Sequence, residues 1–328
     1  MDIPVFKKLL EEELISETEF ENIKRHNEAP VSVYWDLTTL LYVGILLLTG
    51  GLGILVYKNI DSIGHTAIVT LIACLCLASF AYCFKNSRGY SNHKMESPTV
   101  LFDYVLLLAC LLLLTFIGYL QFEYNVFGND WGMVTFVPMV LLFFAAYYFD
   151  HLGVLSMAIT NLAAWAGFTV APMNILREND FTDEKLIYTA LILGAGLLAL
   201  AFVSTKRQIK AHFATTYKNF GTHILLISIL AGLFHFDHFL LIWFLILAVA
   251  IFLFFTDAIK KGSFYFLVVA VLYGYIGVSY VVCRLLWKTG NSAAIIYLTL
   301  IYFIATGIGL IKVLIHYNKL LKKNADLQ

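Results

Sequence analysis

The sequence contains little charge for its length. Only 13% of its 328 residues are Asp, Glu, Lys or Arg, whereas 60% are hydrophobic and the mean hydropathy is +0.81. Soluble domains carry about 25% charged residues, so this composition excludes a soluble globular protein. The formal net charge is zero, which gives no electrostatic basis for binding nucleic acid.

Motifs for common enzyme chemistry are also missing. The sequence has no His-Glu-x-x-His pair, no Gly-x-Ser-x-Gly elbow and no paired carboxylates within its apolar segments. The odd number of cysteines and their positions in or beside apolar segments indicate buried thiols rather than metal ligands. They are Cys74, Cys76, Cys83, Cys110 and Cys283. The sequence therefore predicts no metal and no cofactor, and it disfavours an enzyme.

Long apolar segments dominate the rest of the chain. A helix needs about 20 predominantly apolar residues to cross the hydrocarbon layer, and about ten segments approach this length. They cover roughly residues 37–57, 66–84, 99–121, 131–149, 152–171, 186–204, 220–235, 239–256, 263–286 and 292–316. We therefore predict an all-α, polytopic transmembrane helix bundle of about ten spans.

The basic residues predict the orientation of these spans. When the loops are assigned alternately to the two sides, 17 of the 22 Lys and Arg residues fall on one side and 5 on the other. Cytoplasmic loops are enriched in Lys and Arg, so we expect a multi-pass protein of the cell inner membrane with both termini in the cytoplasm. The predicted parts are a cytoplasmic helical head (1–35), the bundle (36–316) and a basic cytoplasmic tail (317–328).

The head is predicted to contain a short helical hairpin. Ser16 followed by Glu19 is typical of a capping box that begins a second short helix. The first helix is indicated by apolar residues at helical spacing, and the second helix would place Phe20 and Ile23 on its apolar side. The residues that indicate the first helix are Val5, Phe6, Leu9, Leu10 and Leu14. Such a hairpin is too small to hold a core alone, so we expect it to lie on the membrane surface, on the bundle or on a partner.

The head and first span resemble a known family. Leu14-Ile15-Ser16 precedes a second small helix, and the first span contains many small residues over 41–53, ending in Val56-Tyr57-Lys58-Asn59-Ile60-Asp61. Over about residues 5–85 this pattern is similar to the bacterial domain-of-unknown-function 2157 family, with Ile60 where that family usually has Trp. The family is uncharacterised, so the resemblance implies a bacterial multi-pass membrane protein and no activity.

Polar residues inside a bilayer are costly and often functional. Asp103, near the start of the third span, is a candidate for binding a cation or proton, or for pairing with a lysine. Asn161, in the middle of the fifth span, is a candidate for lining a substrate path or for a helix–helix hydrogen bond. Asp150 and His151 interrupt the fourth and fifth spans in a very tight hairpin, where they would form a polar gate or a solvated turn.

The opposite side of the membrane carries a second group of candidates. His235, Asp237 and His238 form a short outer loop that offers two imidazoles and a carboxylate. These groups could ligate a transition metal, although the spacing is not a zinc signature. Arg284, near the outer end of the ninth span, would pair with an acidic outer loop, bind an anionic ligand or extend to the interface.

Three functions remain compatible with these features. The function that requires no chemistry from the sequence is a non-catalytic scaffold, sensor or subunit of a cell-envelope assembly. Its partner in the lipid bilayer would be another membrane protein or a second copy of the chain. The alternative is a transporter or flippase for a lipid or neutral solute, with a cavity between two five-helix halves. A second alternative is an intramembrane enzyme using Asp103, His151 or the outer loop.

Overall fold

Ten long helices account for most of the described chain. The computed structural model describes residues 9, 12, 14–21, 34–58, 64–171, 183–288 and 292–325. The helices are α1 (Tyr34–Lys58), α2 (His65–Asn86), α3 (Val100–Tyr124), α4 (Trp131–Phe149), α5 (Leu152–Val170), α6 (Glu184–Arg207), α7 (Ala214–His235), α8 (Leu240–Lys260), α9 (Phe264–Trp287) and α10 (Ser292–Ala325). Within these ranges there is no β-strand, and the predicted all-α polytopic bundle is confirmed.

The helices follow the predicted spans in order. Nine of them, α2 to α10, contain segments long and apolar enough to cross a membrane. The first predicted span corresponds to α1, a 25-residue helix whose apolar stretch within the described side chains is Thr39–Leu48. Hydrophobic length alone therefore located the membrane helices.

Two helix boundaries differ from the prediction. The seventh span was predicted to begin at residue 220, but α7 begins at Ala214 after a 3₁₀ turn, Ala211–Phe213. The first two turns of α7 carry Lys218 and Asn219, which lower the local hydropathy although both side chains have hydrogen-bond partners in the bundle. The tenth helix continues to Ala325 and so includes most of the segment predicted as a tail.

The first compact unit, Met1–Ile68, confirms the predicted capping box. The Ser16 backbone N–H donates to Glu19 Oε2 at 2.9 Å, and the Glu19 N–H donates to Ser16 Oγ at 3.3 Å. These reciprocal bonds begin the short helix over residues 17–21. The bonds that the Glu19 carboxyl accepts from the Ser16 N–H and hydroxyl lower its pKa. Val5, Phe6, Leu10 and Ile23, which were used to predict the hairpin, lie outside the described residues.

In the second compact unit, Val69–Gln328, several consecutive helices pack against each other, and some of their connections are very short. α4 and α5 are joined by Asp150 and His151 alone, with Asp150 in the left-handed conformation (φ 60°). α6 and α7 approach each other closely at Gly194, where an added Cβ atom would lie only 2.6 Å from the backbone nitrogen of Leu225. Small residues allow such close backbone approach in membrane helices.

Contacts between connections define two ends of this unit. We call the end that holds residues 87–99, 150–151, 208–213 and 261–263 the basic end, because these connections and the helix ends beside them carry most of the lysines and arginines of this unit. The opposite end holds residues 125–130, 236–239 and the first turn of α6. One core cluster joins α3, α4 and α5 to α6 and α7, and another joins α6 and α7 to α8 and α9. The packing of these two cores sets the positions of the helix ends that carry the polar groups.

Candidate functional site

A buried ion-pair cluster at the basic end is the most distinctive polar site. Asp150 Oδ1 accepts from Lys210 Nζ at 2.7 Å and lies 2.8 Å from His212 Nε2, while Asp150 Oδ2 accepts from the Met95 N–H at 2.6 Å. The side chains of Asp150 and Lys210 are 1% and 0% exposed. We call Asp150, Lys210, His212 and Met95 the Asp150 cluster. It joins three separate connections of the chain at one carboxylate.

The backbone around Lys210 explains how a lysine becomes buried there. Lys210 has left-handed φ (49°), and its N–H donates to the Asn92 carbonyl at 2.9 Å. Ser204 Oγ donates to the Lys210 carbonyl, and the Lys210 ammonium lies 5.3 Å from the centre of the Tyr90 ring. The loop therefore bends back over the bundle end and directs the lysine inward. A buried ammonium needs an anionic partner, which Asp150 supplies.

The electrostatics of Asp150 follow from this geometry. Burial alone would raise the pKa of the Asp150 carboxyl, but the hydrogen bonds from Lys210 and Met95 and the charges of Lys210 and His212 outweigh it and lower the pKa below its ordinary value. Asp150 was predicted as either a gate or a solvated turn. In the structure the Asp150 carboxylate is enclosed, and both of its oxygens accept hydrogen bonds.

Asp103 and His151, predicted separately, lie beside each other at this end. His151 Nε2 is 3.7 Å from Asp103 Oδ1, and Ser97 Oγ donates to the same carboxylate oxygen at 2.5 Å. His151 Nδ1 accepts from the Val154 N–H at 3.2 Å and thereby caps the start of α5. Burial lowers the pKa of His151 despite the opposing charges of Asp103 and Asp150. The neutral ring is therefore the form that fits.

The outer-loop candidates are separated from one another in the structure. Asp237 Oδ1 accepts from Arg284 Nη1 at 2.5 Å, so the predicted Arg284 finds its acidic loop partner. His235 Nε2 lies 3.7 Å from Glu184 Oε1, away from that pair, and His238 belongs to the short 3₁₀ turn Asp237–Phe239. In the part of the chain that the structure describes, no group of three or more His, Cys, Asp or Glu side chains is arranged to hold a metal ion.

Asn161 bonds within its own helix. Its side-chain amide donates to the Met157 carbonyl one turn earlier on α5, at 3.1 Å. A cavity of about 370 Å³ lies elsewhere, between α8 and α9. It is lined by apolar side chains, including Phe244, Phe252 and Phe255, and both of its helices belong to the same five-helix half.

A second polar group, which the sequence analysis missed, lies between α7 and α9. His223 Nε2 is 2.8 Å from the Tyr265 hydroxyl, and His223 Nδ1 is 3.0 Å from the Tyr273 hydroxyl. Tyr265 donates to Asn219 Oδ1 at 2.6 Å. We call these four side chains the His223 cluster. Because α7 begins at Ala214, six residues before the predicted start of the seventh span, His223 lies in the third turn of the helix and not at its start.

An aspartate that is bonded to two lysines lies near the His223 cluster. Asp257 Oδ2 accepts from Lys218 Nζ at 2.7 Å and from Lys261 Nζ at 3.1 Å, and the Lys218 ammonium also lies 3.9 Å from the centre of the Phe266 ring. Helical spacing alone would have suggested Asp257 with Lys261, since they are four residues apart. Lys218 lies on α7 whereas Asp257 lies on α8, so no local sequence pattern indicated their contact.

Together, the helices and their length define a multi-pass helical membrane protein. Residues 7–155 match the model of a family described as a predicted membrane protein, DUF2157. This match confirms the resemblance expected from the first span and extends it beyond residue 85, as far as the first turn of α5. No curated protein and no solved structure matches the chain.

Proposed function

We propose that the protein is a non-catalytic scaffold, sensor or subunit of a cell-envelope membrane assembly. The observation that carries this proposal is the Asp150 cluster. Its carboxylate uses both oxygens on three donors from the chain itself and is 1% exposed. A charged group enclosed in this way holds helices together and is not accessible to a substrate.

The other predicted candidates support the same function. Arg284 is engaged by Asp237, and the amide of Asn161 bonds to its own helix. An intramembrane enzyme using Asp103 or His151 would need them to meet a substrate, yet His151 caps α5 and Asp103 bonds to Ser97. The described cavity between α8 and α9 is apolar and lies within one half, so it adds no support for a solute path between the halves.

We further propose that the protein lies in the inner membrane with its basic end and both termini in the cytoplasm, since Lys and Arg are enriched on that side. Single cysteines at two exposed positions test this orientation: Glu96→Cys at the basic end and Asn129→Cys at the opposite end. A membrane-impermeant thiol reagent applied to intact cells should label only the Asn129→Cys variant above the parent chain. Labelling of Glu96→Cys alone would reverse the orientation.

Native mass spectrometry tests the scaffold proposal. The chain would be extracted from its own membrane in polymer-bounded lipid particles, without overexpression, and weighed intact. We expect a fixed stoichiometric complex with another membrane protein or with a second copy. A particle containing the chain alone, together with movement of a labelled lipid or neutral solute by the purified chain in vesicles, would contradict the proposal and favour a transporter.

A further inference from the structure

The His223 cluster forms a directed series of hydrogen bonds between α7 and α9. His223 is nine residues from the start of α7, and Tyr273 is nine residues from the start of α9. At the rise of an α-helix this places both about 13 Å from the first residues of their helices. Three hydrogen bonds of 2.6 to 3.0 Å join Tyr273, His223, Tyr265 and Asn219 in that order.

The direction of donation in this series of hydrogen bonds follows from Asn219, the residue at its end. The side-chain oxygen of Asn219 can only accept, so the Tyr265 hydroxyl donates to it. The Tyr265 oxygen is then free to accept from His223 Nε2–H, which leaves Nδ1 to accept from the Tyr273 hydroxyl. The neutral imidazole is therefore held as a single tautomer, with its one acceptor nitrogen toward Tyr273.

The same positions also suit the protonated imidazole. A protonated ring donates from both nitrogens, and the oxygens of Tyr265 and Tyr273 both have lone pairs that can accept. Adding a proton to Nδ1 requires only that the Tyr273 hydroxyl hydrogen rotate away from that nitrogen, while all heavy atoms keep their places. Both charge states of His223 thus find two partners in one arrangement.

Two other hydrogen bonds between helices lack this property. The Tyr147 and Tyr217 hydroxyls meet at 2.9 Å between α4 and α7, and the Tyr275 and Thr306 hydroxyls meet at 3.1 Å between α9 and α10. Those pairs join helices without a group that titrates near neutral pH. An ionisable residue within a membrane helix points to function by default.

We propose that His223 is an intramembrane proton-binding site. The added proton is held at Nδ1, on the Tyr273 side of the ring, and the other side of the ring faces Tyr265, which lies in the first turn of α9 at the basic end and is 49% exposed. The groups that face the site are Tyr265 and Tyr273 on α9 and Asn219 on its own helix. The nearest charges described on the adjacent turns are Lys218 and its partner Asp257 on α8. The inference does not depend on the scaffold proposal, because a sensor and a transporter could both use such a site.

The test is a histidine titration by nuclear magnetic resonance. The full chain, labelled with ¹⁵N-histidine, would be placed in lipid nanodiscs, and the His223 signal would be identified by its loss in His223→Gln. We expect His223 to change from the Nε2–H tautomer to the doubly protonated ring as the pH falls from about 8 to about 5. A ring that stays neutral over this range would overturn the proposal.

Two matched tyrosine variants separate proton binding from a purely structural contact. Tyr273→Phe removes the oxygen that accepts from the protonated Nδ1, and bonds to charged groups are stronger than neutral ones. We therefore expect the His223 midpoint to move down by about one pH unit. Tyr275→Phe makes the same change on the same helix but removes the bond to Thr306, so it should leave the midpoint unchanged. Equal midpoints in the two variants would also overturn the proposal.

Discussion

The two ends of the bundle use similar ion pairs in very different surroundings. At the basic end, Asp150 and Lys210 are 1% and 0% exposed, whereas at the opposite end Asp237 is 65% exposed beside Arg284. Both pairs have short contacts between their charged atoms. The contact distances therefore do not distinguish the two pairs, and burial decides how much each contributes to stability. A buried charge that loses its partner strongly destabilises the protein, whereas an exposed charge is hydrated by water.

The largest effect should come from removing the buried carboxylate. Asp150→Leu leaves the Lys210 ammonium enclosed without an anion and should destabilise the protein by about 3–5 kcal/mol. Thermal unfolding of the chain in nanodiscs, followed by intrinsic fluorescence, would measure this loss. An unfolding temperature equal to that of the parent chain would show that the Asp150 cluster does not hold the basic end together.

Removing both charges should cost less than removing one. In Asp150→Leu combined with Lys210→Met, no unpaired ammonium remains, and buried pairs replaced by apolar residues are often nearly neutral. Recovery should be partial, because His212 and the Met95 N–H lose their acceptor. The same unfolding measurement applies. If the double variant were less stable than Asp150→Leu, Lys210 would not be acting as the partner of Asp150.

A smaller effect should follow from acidifying the basic end. The pKa of His151 is lowered in the folded chain by burial, so below its ordinary value of about 6.5 the unfolded chain binds more protons than the folded one. Stability should therefore fall as the pH decreases from about 6.5 toward the folded-state pKa. Protonating Nδ1 would also remove the acceptor for the Val154 N–H.

His151→Asn provides the control for this pH dependence. Asparagine is a good helix N-cap but does not titrate, so the variant should keep the start of α5 and lose part of the decline in stability at acidic pH. Unfolding temperatures of the parent and variant at a series of pH values would be subtracted. Parallel curves would mean that other groups cause the decline.

The smallest effect is expected at the opposite end. Asp237→Asn removes the charge that faces Arg284, but both groups reach water, and surface pairs contribute little. We expect no resolvable change in unfolding temperature. A loss as large as that of Asp150→Leu would break the comparison between the two ends and would make the Asp237 loop a structural element in its own right.

The sequence predicted the helices well because hydrophobic length is a local property. The ten predicted spans correspond to ten helices, and the Ser16–Glu19 capping box was recognisable from residues three apart. The start of α7 was predicted six residues late, because Lys218 lowers the hydropathy of a turn whose charge is matched by Asp257 on another helix. Local hydropathy has no information about such a partner.

The sites were predicted only in part for a related reason. Asp103, Asp150 and His151 were singled out by their positions, whereas Lys210 was one basic loop residue among many, and its burial depends on a left-handed backbone and on Asn92. His223 was missed because the error in the start of α7 placed it at the membrane surface. Both omissions arise from contacts between residues at least 42 positions apart.

The separation between Asp150 and Lys210 also sets an order for assembly in the membrane. The two residues are 60 positions apart, so during synthesis the turn between α4 and α5 is made before its lysine exists. Until α6 and the following loop have been made, the Asp150 carboxylate lacks the lysine that pairs with it in the folded chain. The buried ion pair can therefore form only after six of the ten described helices have been synthesised.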